Sequence, residues 1–134
     1  MRIVIVDREP AFLEPLLQRL RGEGFEVTVA ENIPAVMSVI KLQSVQFLVA
    51  DSSILVDHSL GAEVHRLNPM ARFIVLAARP SLLGMIESIS SGMTDYLSRS
   101  AESFDLLINT ILDERERLKR WQCALLSPTF KERP

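Results

Sequence analysis

Two acids stand out by where they occur. Asp7 ends the unbroken apolar run Ile3-Val4-Ile5-Val6, and Asp51 ends the run Phe47-Leu48-Val49-Ala50. If both runs are neighbouring buried strands, two carboxylates lie side by side at one sheet edge. That arrangement costs free energy unless a cation or a hydrogen-bond donor offsets it. Charge chemistry around a cation is one reading of the pair. The plainer one is that each acid caps the segment after it. Other polar groups follow apolar runs in the same way: Arg8 and Glu9 after Asp7, Ser52 and Ser53 after Asp51, Arg79 after Ala77-Ala78, and Arg99 and Ser100 after Tyr96-Leu97-Ser98. No histidine is placed to activate Ser52 or Ser53, so a hydrolase has little support. No glycine-rich loop follows the first run, which argues against nucleotide binding.

Positioning these groups requires alternating strands and helices, and the chain supplies them. β-branched, continuous runs such as 3–6 suit strands buried on both faces of a parallel sheet. Further strands are predicted over 25–30, 47–50, 73–77 and at 96–97. Between them, Pro10 opens a helix to Leu20 with Phe12, Leu13, Leu16, Leu17 and Leu20 on one stripe, halted by Gly22 and Gly24. Asn32 caps a second helix whose apolar face is Val36, Val39, Ile40 and Leu42. A short third helix runs from 60 to 67. Ser81 caps a fourth carrying Leu82, Met85, Ile86 and Ile89, and Ser100 caps a long last one. Five strands each followed by a helix predict an α/β domain with a parallel sheet, and function then gathers where loops leave the strands' carboxyl ends.

Composition sets the outer limits. The chain has 134 residues, 48% of them hydrophobic, with a net charge of −2 and one cysteine, Cys123. It is large enough for one domain with a substantial core. It has no overall electrostatic pull toward nucleic acid. An intrachain disulfide framework is ruled out, and a reducing cytoplasm is the expected location. The apolar run at 3–6 is too short for a signal-peptide core or a membrane span.

Four segments in order resemble the receiver domain of bacterial response regulators. "IVIVDRE" is similar to the first strand with its following acids, and "FLVADSSI" to the strand that ends in the phosphoacceptor aspartate. "FIVLAARP" is similar to the fourth strand, and "SSGMTDYLSRS" to the segment around the fifth. The match covers roughly residues 2 to 112. It implies a flavodoxin-like (βα)5 three-layer sandwich with strand order 2-1-3-4-5 and a non-enzymatic role in two-component phosphorelay signalling. It also implies protein partners, a histidine kinase or an output domain, and a homodimer through helix four, strand five and helix five. Asp51 falls on the phosphoacceptor, Asp7 on the first acid of the magnesium-binding pair, and Tyr96 on the aromatic that swings between states.

Other positions depart from the family pattern. Arg8 stands where the second acid belongs, Ala77 where a switch hydroxyl belongs, and Arg99 where a lysine belongs. Asp7 and Asp51 against Arg8 and Arg99 sum to zero charge without a metal. Two unit charges about 4 Å apart interact by roughly 4 kcal/mol at an effective dielectric near 20, enough to dominate a weak metal site. The expectation is that Arg8 pairs with Asp51 or Asp7 in place of the metal, Glu9 being a substitute ligand. Magnesium held by Asp7 and Asp51 is then weak, and no other cofactor is expected. The receiver is degenerate in this reading and acts through protein contacts, with Leu83 and Tyr96 on its interaction surface. Two alternatives stay open: a working phosphoacceptor modified on Asp51 by a partner kinase, and a flavodoxin-like small-ligand-binding domain outside phosphorelays.

Residues 113–126 are expected to extend the last helix past a receiver spanning 1–112, with 127–134 as a flexible tail. Asp113–Arg117 and Glu116–Arg120 are favourable pairs four apart, and Ile111, Leu118 and Leu125 fall at heptad spacing. A dimerising or linking helix and a helix end that packs back on the domain are equally compatible with that pattern.

Overall fold

β-branched runs flanked by amphipathic helices assemble here as the alternation requires. The structure is a computed structural model that describes residues 1–54, 59–100 and 102–126. Strands β1 (Arg2–Val6), β2 (Glu26–Ala30), β3 (Phe47–Asp51), β4 (Arg72–Ala77) and β5 (Asp95–Ser98) form one parallel sheet in the order β2-β1-β3-β4-β5. The helices are α1 (Pro10–Gly22), α2 (Ile33–Leu42), α3 (Ser59–Leu67), α4 (Leu82–Ser90) and α5 (Phe104–Leu125), with a 3-10 turn at Ser52–Ile54. Fold class and strand order agree with the sequence reading.

Side chains alternate across each strand, and this splits the core into two layers. Ile3, Ile5, Phe47, Val49, Ile74 and Leu76 face α1 and α5, meeting Leu16, Leu20, Leu107, Ile108 and Ile111. Val4, Val6, Leu48, Ala50, Phe73 and Val75 face the other way, toward Val36 and Ile40 of α2 and Leu60 and Val64 of α3. The capping predictions for α2 and α4 hold: Asn32 Oδ1 accepts from Ala35 N–H, and Ser81 Oγ accepts from Gly84 N–H, both at 2.9 Å. Gly24, at φ +89°, closes α1 in the left-handed region that favours glycine.

Several expectations change. The last helix starts at Phe104, with Ser103 rather than Ser100 at its N-cap. Ser100 Oγ instead accepts the Ser103 N–H at 3.2 Å, stabilising a turn before the helix. Leu42 projects from the end of α2 and is exposed. Most consequential is α4, for which the sequence located an apolar stripe without giving its direction. Leu82, Leu83, Met85, Ile86 and Ile89 are exposed, and the residue α4 buries is Ser88. Periodicity locates an apolar face without saying which way it points, and here the small residues face the sheet.

α5 runs unbroken through the segment beyond 112. Ile111 and Leu118 are buried in the domain's own core, so they are not available as a seam for a partner helix. Arg72, at the start of β4, lies 3.0 Å from Glu114 and stacks on the Trp121 ring at 4.6 Å. Arg115 donates to the Glu23 carbonyl at 2.6 Å and covers the Phe25 ring. The ion pairs along the helix run Glu114–Arg117 and Glu116–Lys119, three residues apart rather than the expected four. The tail at 127–134 lies outside the described residues.

Candidate functional site

At the carboxyl end of the sheet the charged groups converge on one side chain, Arg99. Its position is fixed by backbone first. The Arg99 N–H donates to the Ala77 carbonyl at 2.8 Å, extending the β4–β5 ladder one residue past β5. Since β4 and β3 lie between β5 and β1, the side chain must cross the ends of both to reach Asp7. It does so: Arg99 Nε donates to Asp7 Oδ2 and Nη2 to Asp7 Oδ1, each at 2.8 Å. This is the two-pronged guanidinium–carboxylate geometry that lysine lacks. Nη1 donates to Glu9 Oε2 at 2.9 Å.

Asp51 Oδ2 is 3.0 Å from Arg99 Nε. The single hydrogen on Nε is directed to Asp7, so the Asp51 contact is an ion pair rather than a hydrogen bond. One guanidinium thus faces three carboxylates. Phe12, in the first turn of α1, supports its face, with Arg99 Cζ 4.4 Å from the ring centre. On its outer side Arg99 joins Phe12, Pro15 and Phe104 in lining a groove of about 440 Å³.

Burial gives these contacts their weight. Asp7 is 2% exposed, Arg99 11% and Asp51 14%. The Asp7 hydrogen bonds hold the Arg99 guanidinium protonated well above the usual arginine range, against the cost of burial, with Glu9 and the charges of Asp7 and Asp51 adding to the effect. A cation whose pKa rises on folding contributes stability at every pH below its ordinary range, so this contribution is constant around neutrality.

The carboxylate oxygens are already committed. Asp7 Oδ1 accepts from Glu9 N–H at 2.9 Å as well as from Arg99, and Asp51 Oδ1 accepts from Ser53 N–H at 2.9 Å. Among the described residues, no group of three or more His, Cys, Asp or Glu side chains is arranged to hold a metal ion. A divalent cation does not fit this donor set as it stands, because the guanidinium takes the oxygens it would need.

Comparison with known proteins places the fold and site in context. No family model matches the chain. It is 28% identical over 120 residues to the photosynthetic apparatus regulatory protein RegA of Rhodobacter capsulatus, which covers 87% of this chain and 64% of that protein. It therefore spans less than two thirds of that relative's length. Among solved structures, a CheY-like receiver domain protein from Methanospirillum hungatei superposes with a TM-score of 0.74 at 26% identity, over 89% of this chain and 97% of that one. The chain is similar in sequence to response regulators and in fold to their CheY-like receiver domains. A response regulator from Burkholderia pseudomallei, solved with a phosphorylated aspartic acid, calcium ion and citrate, shares the fold at a TM-score of 0.71 and 23% identity, over 97% of this chain and 76% of that one.

At this site the structure joins Asp7, Glu9 and Asp51 through Arg99, while Arg8 lines the same pocket with its guanidinium bonded elsewhere. The expectation that Arg8 pairs with Asp7 or Asp51 is corrected: its Nε donates to the Glu31 carbonyl at 3.1 Å, beyond the end of β2. The chain leaves β1 with residue 8 directed toward β2, whereas Arg99 approaches across β4. Ala77 ends β4, buried, and its backbone carbonyl accepts the Arg99 N–H. Tyr96 stands apart from the acids, its hydroxyl against the start of α4. Phe12 was read only as part of the core stripe of α1. Its place three residues after Glu9 was the available hint of a second role.

Among the described residues no helix is long and apolar enough to cross a membrane.

Proposed function

We propose that this receiver keeps its acidic pocket neutralised by Arg99 and works as a protein-interaction module of a two-component pathway, with magnesium-dependent phosphorylation of Asp51 weak or absent. The observation that carries this is the Arg99 fork on Asp7, with Glu9 and Asp51 in contact with the same guanidinium. A metal ion would have to displace it and break a buried charge pair. Ala77 adds to the argument. Without a hydroxyl on β4, a phosphoryl group on Asp51 gains no bond there to favour one conformation, and a ligand shifts an equilibrium only by its differential affinity. Incubation with acetyl phosphate and magnesium, read by intact-protein mass, is expected to give no adduct that Asp51→Asn abolishes. A stoichiometric adduct lost in that variant would reverse the proposal.

A phosphoacceptor is the second reading, and one observation favours it. Asp51 reaches the surface beside Ser53, and its Oδ2 carries an ion pair but no hydrogen bond among the described residues. The phosphorylated aspartate of the Burkholderia relative shows that the fold supports such chemistry in that protein.

The partners of this reading are a histidine kinase or an effector, and the surface offered to them is the exposed apolar face of α4, with Leu106 of α5 also exposed. That much apolar side chain in one patch marks an interaction site. A second copy of the chain is the occupant that needs no other component. Sedimentation equilibrium is expected to show a dimer that Ile86→Glu dissociates by at least tenfold in Kd, since a buried charge in an apolar interface costs more than the ~1.4 kcal/mol this requires. A monomer at all concentrations would assign the face to a different protein.

A further inference from the structure

α4 is held to the domain in an unusual way. Its larger apolar residues point outward, so hydrophobic burial does little to fix its pose. Its inward side carries Gly84 and Ser88, four apart, and the exposed N-cap Ser81 precedes Gly84 by three residues. At the first turn a specific contact takes over. The Tyr96 hydroxyl on β5 accepts the Ser81 N–H at 3.2 Å, and Ser81 Oγ accepts the Gly84 N–H at 2.9 Å.

Gly84 explains how closely these groups meet. Its backbone has no positive φ, so the helix does not require glycine for its geometry. Glycine is a poorer helix former than alanine, and its place in the first turn has a packing reason. A Cβ there would lie 2.9 Å from the Tyr96 hydroxyl and 2.9 Å from Ser81 Oγ. The missing methyl leaves the space the tyrosine oxygen fills. The ring itself packs against the core layer containing Val75 and Met93, so the hydroxyl is carried on an anchored stem.

We infer that Tyr96 acts in this chain as a strut: its hydroxyl, received by Ser81 and admitted by Gly84, sets the first turn of α4 and so the pose in which that helix displays its apolar face. The assignment goes beyond the proposed function and does not depend on the chemistry of Asp51 or on any partner.

Amide hydrogen exchange on the isolated chain tests it through Tyr96→Phe, Gly84→Ala and the double variant. Tyr96→Phe keeps the ring in the core and removes only the oxygen. It is expected to speed exchange of the Ser81 amide roughly fivefold, the value of one ordinary hydrogen bond, with the β1 and β3 amides unchanged. Gly84→Ala is expected to release the Ser81 amide at least as much by pushing the hydroxyl away, and to have a clearly smaller effect in the Tyr96→Phe background, where only its contact with Ser81 Oγ remains. That non-additivity is the signature of a shared contact. A Ser81 amide unaffected by Tyr96→Phe, or a Gly84→Ala effect equal in both backgrounds, would overturn the assignment.

Discussion

Arg99→Ala is expected to destabilise the domain by about 3 kcal/mol at neutral pH and, at the same time, to make its stability depend on magnesium. The first effect follows from what the substitution leaves behind. Asp7 is 2% exposed and receives two hydrogen bonds from Arg99. Removing one partner of a buried pair strands the other charge, which typically costs roughly 3–5 kcal/mol. The lower end applies because Asp51 and Glu9 retain some contact with water. The second effect follows from the oxygens set free. Asp7, Asp51 and Glu9 would then face one another with no cation among them, and a divalent ion that binds only the folded state stabilises it by mass action. Urea unfolding of wild type and variant, with and without millimolar magnesium, reads both effects. The wild type should be indifferent to magnesium and the variant should recover part of its loss. A wild type that magnesium stabilises, or a variant as stable as its parent, would contradict the role given to Arg99. Arg99→Lys should fall between the two, since an ammonium satisfies one oxygen well but not a planar pair.

Leu118→Ala is expected to cost about 3 kcal/mol, the middle of the range for truncating a buried leucine. Leu118 is 1% exposed and packs in the same layer as Ile108 and Ile111. The measurement bears on more than one side chain, because it asks where the domain ends. If residues after 112 were a free linker, the substitution would change the unfolding midpoint hardly at all. The exposed Leu106→Ala serves as the control and should stay within about 0.5 kcal/mol of wild type. Arg72, Glu114 and Trp121 lead to the same conclusion, since together they tie the later turns of α5 to the start of β4. Trp121 fluorescence gives a convenient signal for that end of the helix.

Much of the fold was legible because its signals are local. The runs ending at Val6 and Ala50 are continuous and apolar, which only a strand covered on both faces accommodates. Asn32 and Ser81 announced their helices through side chains that bond within three residues. Asp7 and Asp51 end neighbouring strands, so their meeting followed from the strand order.

The identity of their counter-ion did not follow. Sequence adjacency favoured Arg8, yet 92 residues separate Asp7 from the guanidinium it binds. Only the reach of the Arg99 side chain from the end of β5 across the ends of β4 and β3 brings them together. The facing of α4 was hidden for a related reason. A helical apolar stripe is a property of the segment, but the choice between core and solvent is made by neighbours, here by Tyr96 and the small residues that let β5 come close.

The sequence alone determined which segments become strands and helices, their parallel arrangement and the presence of two acids at one sheet edge, because periodicity, caps and β-branched runs act over a few residues. Tertiary structure decided which arginine neutralises those acids, which way α4 faces, and that α5 closes on its own domain. Each of these depends on distances between residues far apart in the chain, which local preferences do not encode.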